Sequence, residues 1–261
     1  AAPVITFVSN NTIDSPEPTA GTTTSVTFSF VANDTGGVIS LVDSSSNATF
    51  AASGETNRSA TCTKESDPTP TSRNYTCTVL MYYYDDDTTW NINVSVNDTS
   101  MAKGYNDTTT FTYGGLVHIN LSTNTLSWTG TLRAGDFNKS ATSGPINVSN
   151  IGNLIVRNLT IKGYDLNGAS GFALANGNRI GAGNFTVTNI TGGDPTGGNC
   201  AVGLKTTLIN QTNANMTINV TTYVYTKGRN VTSLYYCLDI PTGLIMGTYN
   251  TTNQWMTTGA Q

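Results

Sequence analysis

The sequence predicts an all-β protein made of two tandem immunoglobulin-like antiparallel β-sandwich domains. Three observations predict it. β-branched and aromatic residues alternate with Thr, Ser and Asn in many short runs. Helical periodicity is nearly absent: Glu occurs three times in 261 residues, and Leu, Ala and Lys build no sustained i, i+3, i+4, i+7 stripe. Turn residues separate the runs at short spacing, the pattern of sandwiches joined in series.

The first expected strand, 4–8, lies in APVITFVSN, and a Pro-, Thr- and Gly-rich stretch, NTIDSPEPTAGTTT, separates it from the next at 25–31. Two readings stay open for residues 1–13. They form either an ordinary first strand or one donated to a neighbouring subunit, with 14–24 as spacer and Val4, Ile5, Phe7 and Val8 as the polymerising residues. Strands are then expected at 38–42, 48–51, 58–62, 75–84, 90–97 and 108–113. At 90–97, Trp90, Ile92, Val94 and Val96 alternate with Asn91, Asn93, Ser95 and Asn97, so one face is apolar and the other polar. Tyr75, two residues before Cys77, is similar to a tyrosine corner. Gly114-Gly115 marks the boundary between a domain over 1–113 and one over 114–261. The second set of strands is expected at 116–121, 125–132, 146–148, 154–161, 172–174, 185–190, 202–209, 215–225, 233–240 and 246–251.

The composition excludes several functions. The chain has 47 Thr, 30 Asn and 21 Ser, while charged residues are 11%, against roughly a quarter in an average soluble protein. A net charge of −4 leaves no basic footprint for nucleic acid. The longest apolar run, Val79–Tyr84, falls far short of a membrane-spanning helix.

Asn-x-Ser/Thr, with x not Pro, occurs 19 times: at Asn10, Asn33, Asn47, Asn57, Asn74, Asn93, Asn97, Asn106, Asn120, Asn138, Asn147, Asn158, Asn184, Asn189, Asn210, Asn215, Asn219, Asn230 and Asn250. Thirty Asn at the chain's Ser plus Thr frequency would give about 8. The excess predicts an extracellular, heavily N-glycosylated surface. Asn93 and Asn97 fall on the polar face of their strand, and Asn215 and Asn219 oppose Met216, Ile218 and Val220 in the same way.

Four cysteines allow three pairings. Cys62 with Cys77 and Cys200 with Cys237 keep each bond within one domain. They would contribute roughly 3 and 4 kcal/mol in the chain-entropy model and imply an oxidising compartment. Ala1 is expected to follow a removed signal peptide.

Catalytic chemistry is poorly represented. His118 is the only histidine, shares strand phase with the sequon acceptor Asn120, and lacks a nucleophile elbow. Asp85, Asp86 and Asp87 read as a solvated turn, with a Ca²⁺ loop as the sharper alternative. Glu17, Glu55 and Glu65 fall in spacer or loop segments, and Trp128 and Trp255 read as core or edge residues rather than sugar platforms. No enzyme is expected, nor any cofactor beyond covalent N-glycans.

The run NYTCTVLMYYYDDDTTWNINVSVNDTS followed by TTTFTYGG, and the later GPINVSNIGN, GYDLNG and YYCLDIPTGLIMGTY, resemble glycosylated surface-protein domains of small-genome (DPANN-type) archaea. A looser resemblance links the chain to archaeal thread-type filament subunits, which are joined by donated strands. The resemblance implies an extracellular cell-surface structural protein. The expected function is a subunit of a glycosylated, pilus-like filament, a homopolymer growing head to tail by donor-strand complementation. The alternatives are a surface-layer or cell-wall lattice protein and an adhesin or carbohydrate-binding module.

Overall fold

The computed structural model describes residues 1–9, 16–168, 179–189, 206–216, 231–251 and 255–260. They are antiparallel strands with two short 3-10 turns and no α-helix. No helix among the described residues is long and apolar enough to cross a membrane. The chain divides into two compact units. The first holds Ala1–Leu116 and Gly152–Leu154, and the second holds Val117–Ile151 and most of the chain after Leu154.

Unit 1 contains β1 (Val4–Val8), β2 (Thr23–Asn33), β3 (Leu41–Ala51), β4 (Arg58–Thr61), β5 (Thr63–Thr69), β6 (Ser72–Tyr82), β7 (Thr89–Asp98) and β8 (Lys103–Thr112). One sheet runs β1-β2-β6-β5 and the other β4-β3-β7-β8. With β4 counted as an added strand, this is the strand order of an immunoglobulin-type sandwich. Period-2 alternation builds the core. In β7, Trp90, Ile92, Val94 and Val96 are buried, and in β6 Tyr75, Cys77, Val79 and Met81 face them. Phe28 and Phe111 flank Phe50 at 5.6 and 4.7 Å between ring centroids, and Phe30 stacks on Tyr75 at 5.0 Å.

Several expectations change. Val38–Ser40 is a 3-10 turn, not a strand, while the rest of the segment expected at 38–42 and the whole of that at 48–51 belong to one strand, β3, with an irregular register between Val42 and Asn47. The connection between Cys62 and Cys77, which by its Pro, Thr and Ser content reads as a hairpin or a long loop, is a hairpin: TKESDPT is β5, an edge strand with every residue exposed, paired antiparallel with β6. The Tyr75 hydroxyl donates to the Asp43 carboxylate at 2.8 Å, not to backbone as in a tyrosine corner.

Unit 2 is built from shorter strands: β9 (Ile119–Leu121), β10 (Lys139–Ser140), β11 (Ile146–Asn150), β12 (Asn158–Lys162), β13 (Leu166–Gly168), β14 (Arg179–Ile180), β15 (Phe185–Thr188), β16 (Thr206–Thr207), β17 (Asn213–Met216), β18 (Val231–Leu238), β19 (Tyr249–Asn250) and β20 (Met256–Ala260). They form one sheet of order β16-β15-β18-β11-β9, with β10 also on β18, and two three-stranded sheets, β17-β12-β20 and β14-β13-β19. Among the described residues the immunoglobulin order does not extend to this unit. The strand expected at 125–132 is extended chain pinned by side chains: Trp128 Nε1 donates to the Lys139 carbonyl at 3.0 Å, and Thr129 N–H to the Thr142 hydroxyl at 3.0 Å. Trp128 and Trp255 both meet Phe185 edge-on in the core of this unit. The strand expected at 172–174, and parts of those at 185–190, 202–209 and 215–225, lie outside the described residues.

Candidate functional site

The N-terminal strand lies on its own chain. β1 pairs antiparallel with β2 through Val4 with Asn33, Ile5 with Ala32, Phe7 with Val31 and Val8 with Phe30, and the register shifts between Ile5 and Phe7. This bulge breaks the alternation and turns Phe7 to the same side as Val4. Ile5 is buried and Val8 packs against the core, whereas Val4 and Phe7 are 59% and 55% exposed. The Asn33 amide nitrogen donates to the Thr6 hydroxyl at 2.7 Å, and its oxygen accepts from Ser72, so one side chain ties β1 to β2 and β6. Pro3 lies directly over Gly104 of β8, where an added Cβ would come within 2.9 Å of the Pro3 carbonyl carbon and closer still to its oxygen.

Sheet edges are normally guarded by charge, proline, bulges or short length. β5 carries Lys64, Glu65, Asp67 and Pro68 and two register shifts. β4 has four residues including Arg58, and β8 has Lys103, Asp107 and a shift. β1 has a bulge but no charge, and presents Val4 and Phe7.

The sequon acceptors sort by burial. Fifteen of the 19 have described side chains, and none of the fifteen is buried. The buried asparagines among the described residues are Asn150 and Asn153, and neither begins a sequon. Asn120 is exposed, as are Asn57, Asn138, Asn158, Asn210 and Asn250, while Asn33, Asn47, Asn74, Asn93, Asn97, Asn106, Asn147, Asn184 and Asn189 are half-buried. Asn10, Asn219 and Asn230 lie outside the described residues, as does the side chain of Asn215.

The acidic run is not uniformly solvated. Asp85 is fully buried, its carboxylate held by the Arg58 guanidinium and by the Tyr82 N–H at 2.7 Å. Arg58 also lies over the Tyr82 ring, 4.5 Å from its centroid. Asp86 and Asp87 are exposed. Burial, then the Asp86 charge, pushes the Glu55 carboxyl up to about 7. Among the described residues no three His, Cys, Asp or Glu side chains are grouped to hold a metal ion. His118 is exposed.

A residue without any local signal fastens this end of unit 1. The Asn153 amide nitrogen donates to the Asp85 and Gly114 carbonyls at 2.9 and 2.8 Å, and its oxygen accepts the Leu116 N–H at 2.6 Å. Cys62 bonds to Cys77. Cys237 is also disulfide-bonded, and Cys200 lies outside the described residues. The chain matches no protein-family model and no curated protein.

Proposed function

We propose that this protein is a structural subunit of a heavily N-glycosylated extracellular filament, in which β1 of one subunit occupies β2 of the next. The observation that carries this reading is the character of β1: among the four edges of unit 1 it alone combines apolar residues with a lack of charge. The pairing it makes within its own chain is the pairing a neighbour's strand would make in trans, as in domain swapping. Exchange therefore changes few contacts within the sandwich, and Val4 and Phe7 supply apolar surface for the contact that exchange adds. Each is a little over half exposed, so burying the remainder would contribute roughly 1–1.5 kcal/mol apiece.

The glycoprotein part rests on the segregation of sequon acceptors from the core, which leaves every described acceptor side chain at least partly accessible. Removing residues 1–8 and imaging the product by electron microscopy tests the assembly. Loss of filaments is expected, and normal filaments would refute strand exchange. A mature mass many kilodaltons above the 27.5 kDa polypeptide tests the glycans.

A surface lattice is the second reading. Ile39 and Met101 are 88% and 87% exposed on turns joined by the Thr99 N–H to Ser40 carbonyl bond of 2.8 Å. They offer a contact separate from β1, as a two-dimensional array requires.

A further inference from the structure

We infer that the fold sorts the sequons of unit 1: Asn47, Asn93, Asn97 and Asn106 carry glycans, and Asn33 and Asn74 stay unmodified. This rests on the glycoprotein reading above and restricts it. In N-glycosylation, the amide Nδ2 bonds to the anomeric carbon of a sugar linked through diphosphate to a lipid. The bond from that carbon to the diphosphate oxygen breaks, the lipid diphosphate departs with its electrons, and Nδ2 loses one proton. The nitrogen and the space around it therefore decide whether a folded acceptor tolerates the product.

The two sheets of unit 1 differ in this respect. On the sheet of β3, β7 and β8, the Asn47 and Asn106 oxygens are taken by their own sequon hydroxyls. Thr49 Oγ1 donates to Asn47 Oδ1 at 3.2 Å, and Thr108 donates to Asn106 Oδ1 through both its N–H and hydroxyl at 3.0 Å. At Asn106 this is an Asx-type turn, and at both positions the bond to the oxygen leaves the nitrogen as the uncommitted end of the amide. Asn93 and Asn97 stand on the outward side of β7, between buried neighbours that face inward.

On the sheet of β2 and β6, both amides are drawn into the protein. Asn33 donates its nitrogen to Thr6 and receives Ser72 on its oxygen, so a sugar there would intrude on the clamp that holds β1. The Asn74 nitrogen donates to the Ser66 hydroxyl at 3.2 Å, and its oxygen is buried without a partner. Exchanging the amide's oxygen and nitrogen does not help, because one atom stays enclosed in either orientation. Around these positions the outward face carries hydroxyl pairs, Ser29 with Thr76 at 3.1 Å and Thr27 with Thr78 at 2.9 Å. The sheet containing β1 is thus left without sugars among the described residues, and the opposite sheet is coated.

Intact glycopeptide mass spectrometry on the protein purified from its own cells tests the sorting. Peptides holding Asn47, Asn93, Asn97 and Asn106 are expected to carry sugar, and those holding Asn33 and Asn74 to keep the bare peptide mass. Comparable occupancy at Asn33 or Asn74 overturns the sorting but leaves the glycoprotein reading standing. Bare peptides throughout overturn both. In variants, Asn106→Gln is expected to lower the intact mass by one glycan and Asn33→Gln by none; a glycan-sized loss in Asn33→Gln refutes the assignment.

Discussion

Gly104→Ala is the sharpest probe of how β1 is seated. Gly104 does not have a left-handed backbone, so alanine brings no dihedral strain there, and in a strand it is otherwise a favourable exchange. What it meets is backbone: the new Cβ would stand 2.9 Å from the Pro3 carbonyl carbon and 3.0 Å from the Pro3 Cβ. Neither is the far end of a flexible side chain, so either β8 shifts or the start of β1 lifts away. Forcing a methyl group into packed structure costs about 1–3 kcal/mol. If Ile5 is pulled out as well, its lost burial adds roughly 1.5–3 kcal/mol. For a unit of this size each kcal/mol corresponds to roughly 3–5 °C in Tm, resolvable by calorimetry of the first unit's transition. The decisive comparison repeats the substitution in a chain lacking residues 1–3. If the cost arises from the clash with Pro3, it vanishes in that background, and the two changes are strongly non-additive. An equal loss with and without residues 1–3 would refute the reasoning and place the strain within β8.

Asn153→Ala leaves the Asp85 and Gly114 carbonyls and the Leu116 N–H without their partner; we expect a loss of about 1–3 kcal/mol in denaturant unfolding. The Glu55 carboxyl is held up at about 7 by burial and by Asp86, so the folded state keeps a proton that the unfolded state releases near 4.5. Stability should therefore fall as pH rises from about 4.5 through about 7, and Tm scans of Glu55→Gln should lack that fall. Ser25→Asn and Thr110→Asn each create a new sequon at an exposed position, one on β2 and one on β8. Electron microscopy should show assembly impaired by the first and tolerated with the second.

The sandwich of unit 1 was legible wherever a strand is buried on one face. The alternation of Trp90, Ile92, Val94 and Val96 with Asn and Ser specifies which side packs, and the structure buries those four. β5 was not legible as a strand, because TKESDPT is exposed throughout and is held only by pairing with β6. Edge strands of this kind carry no hydrophobic period to detect. The side Phe7 takes was not legible either, because the bulge at Thr6 reverses the phase that a regular strand would give it. Asn153 had no signal because its partners lie 68, 39 and 37 residues away in sequence.

The sequons show the same limit where it bears on function. Neither the sequon nor overall burial tells Asn33 and Asn74 from Asn47 and Asn106, since all four have a Thr two residues on and stand half-buried in strands. What separates them is whether the amide nitrogen is met by another strand: Thr6 reaches Asn33 from 27 residues away, and Ser66 reaches Asn74 across the β5–β6 hairpin. The distinction matters for any assembly of such subunits. Sugars on every outward face would solubilise the protein and also screen each face from its neighbours, because a hydrated glycan must be displaced or crossed before polypeptide surfaces can meet. A subunit that both wears a glycan coat and packs against its own kind therefore requires one face kept bare. In unit 1 that requirement falls on the sheet whose free edge is β1, where sequons are few and their amides are already engaged.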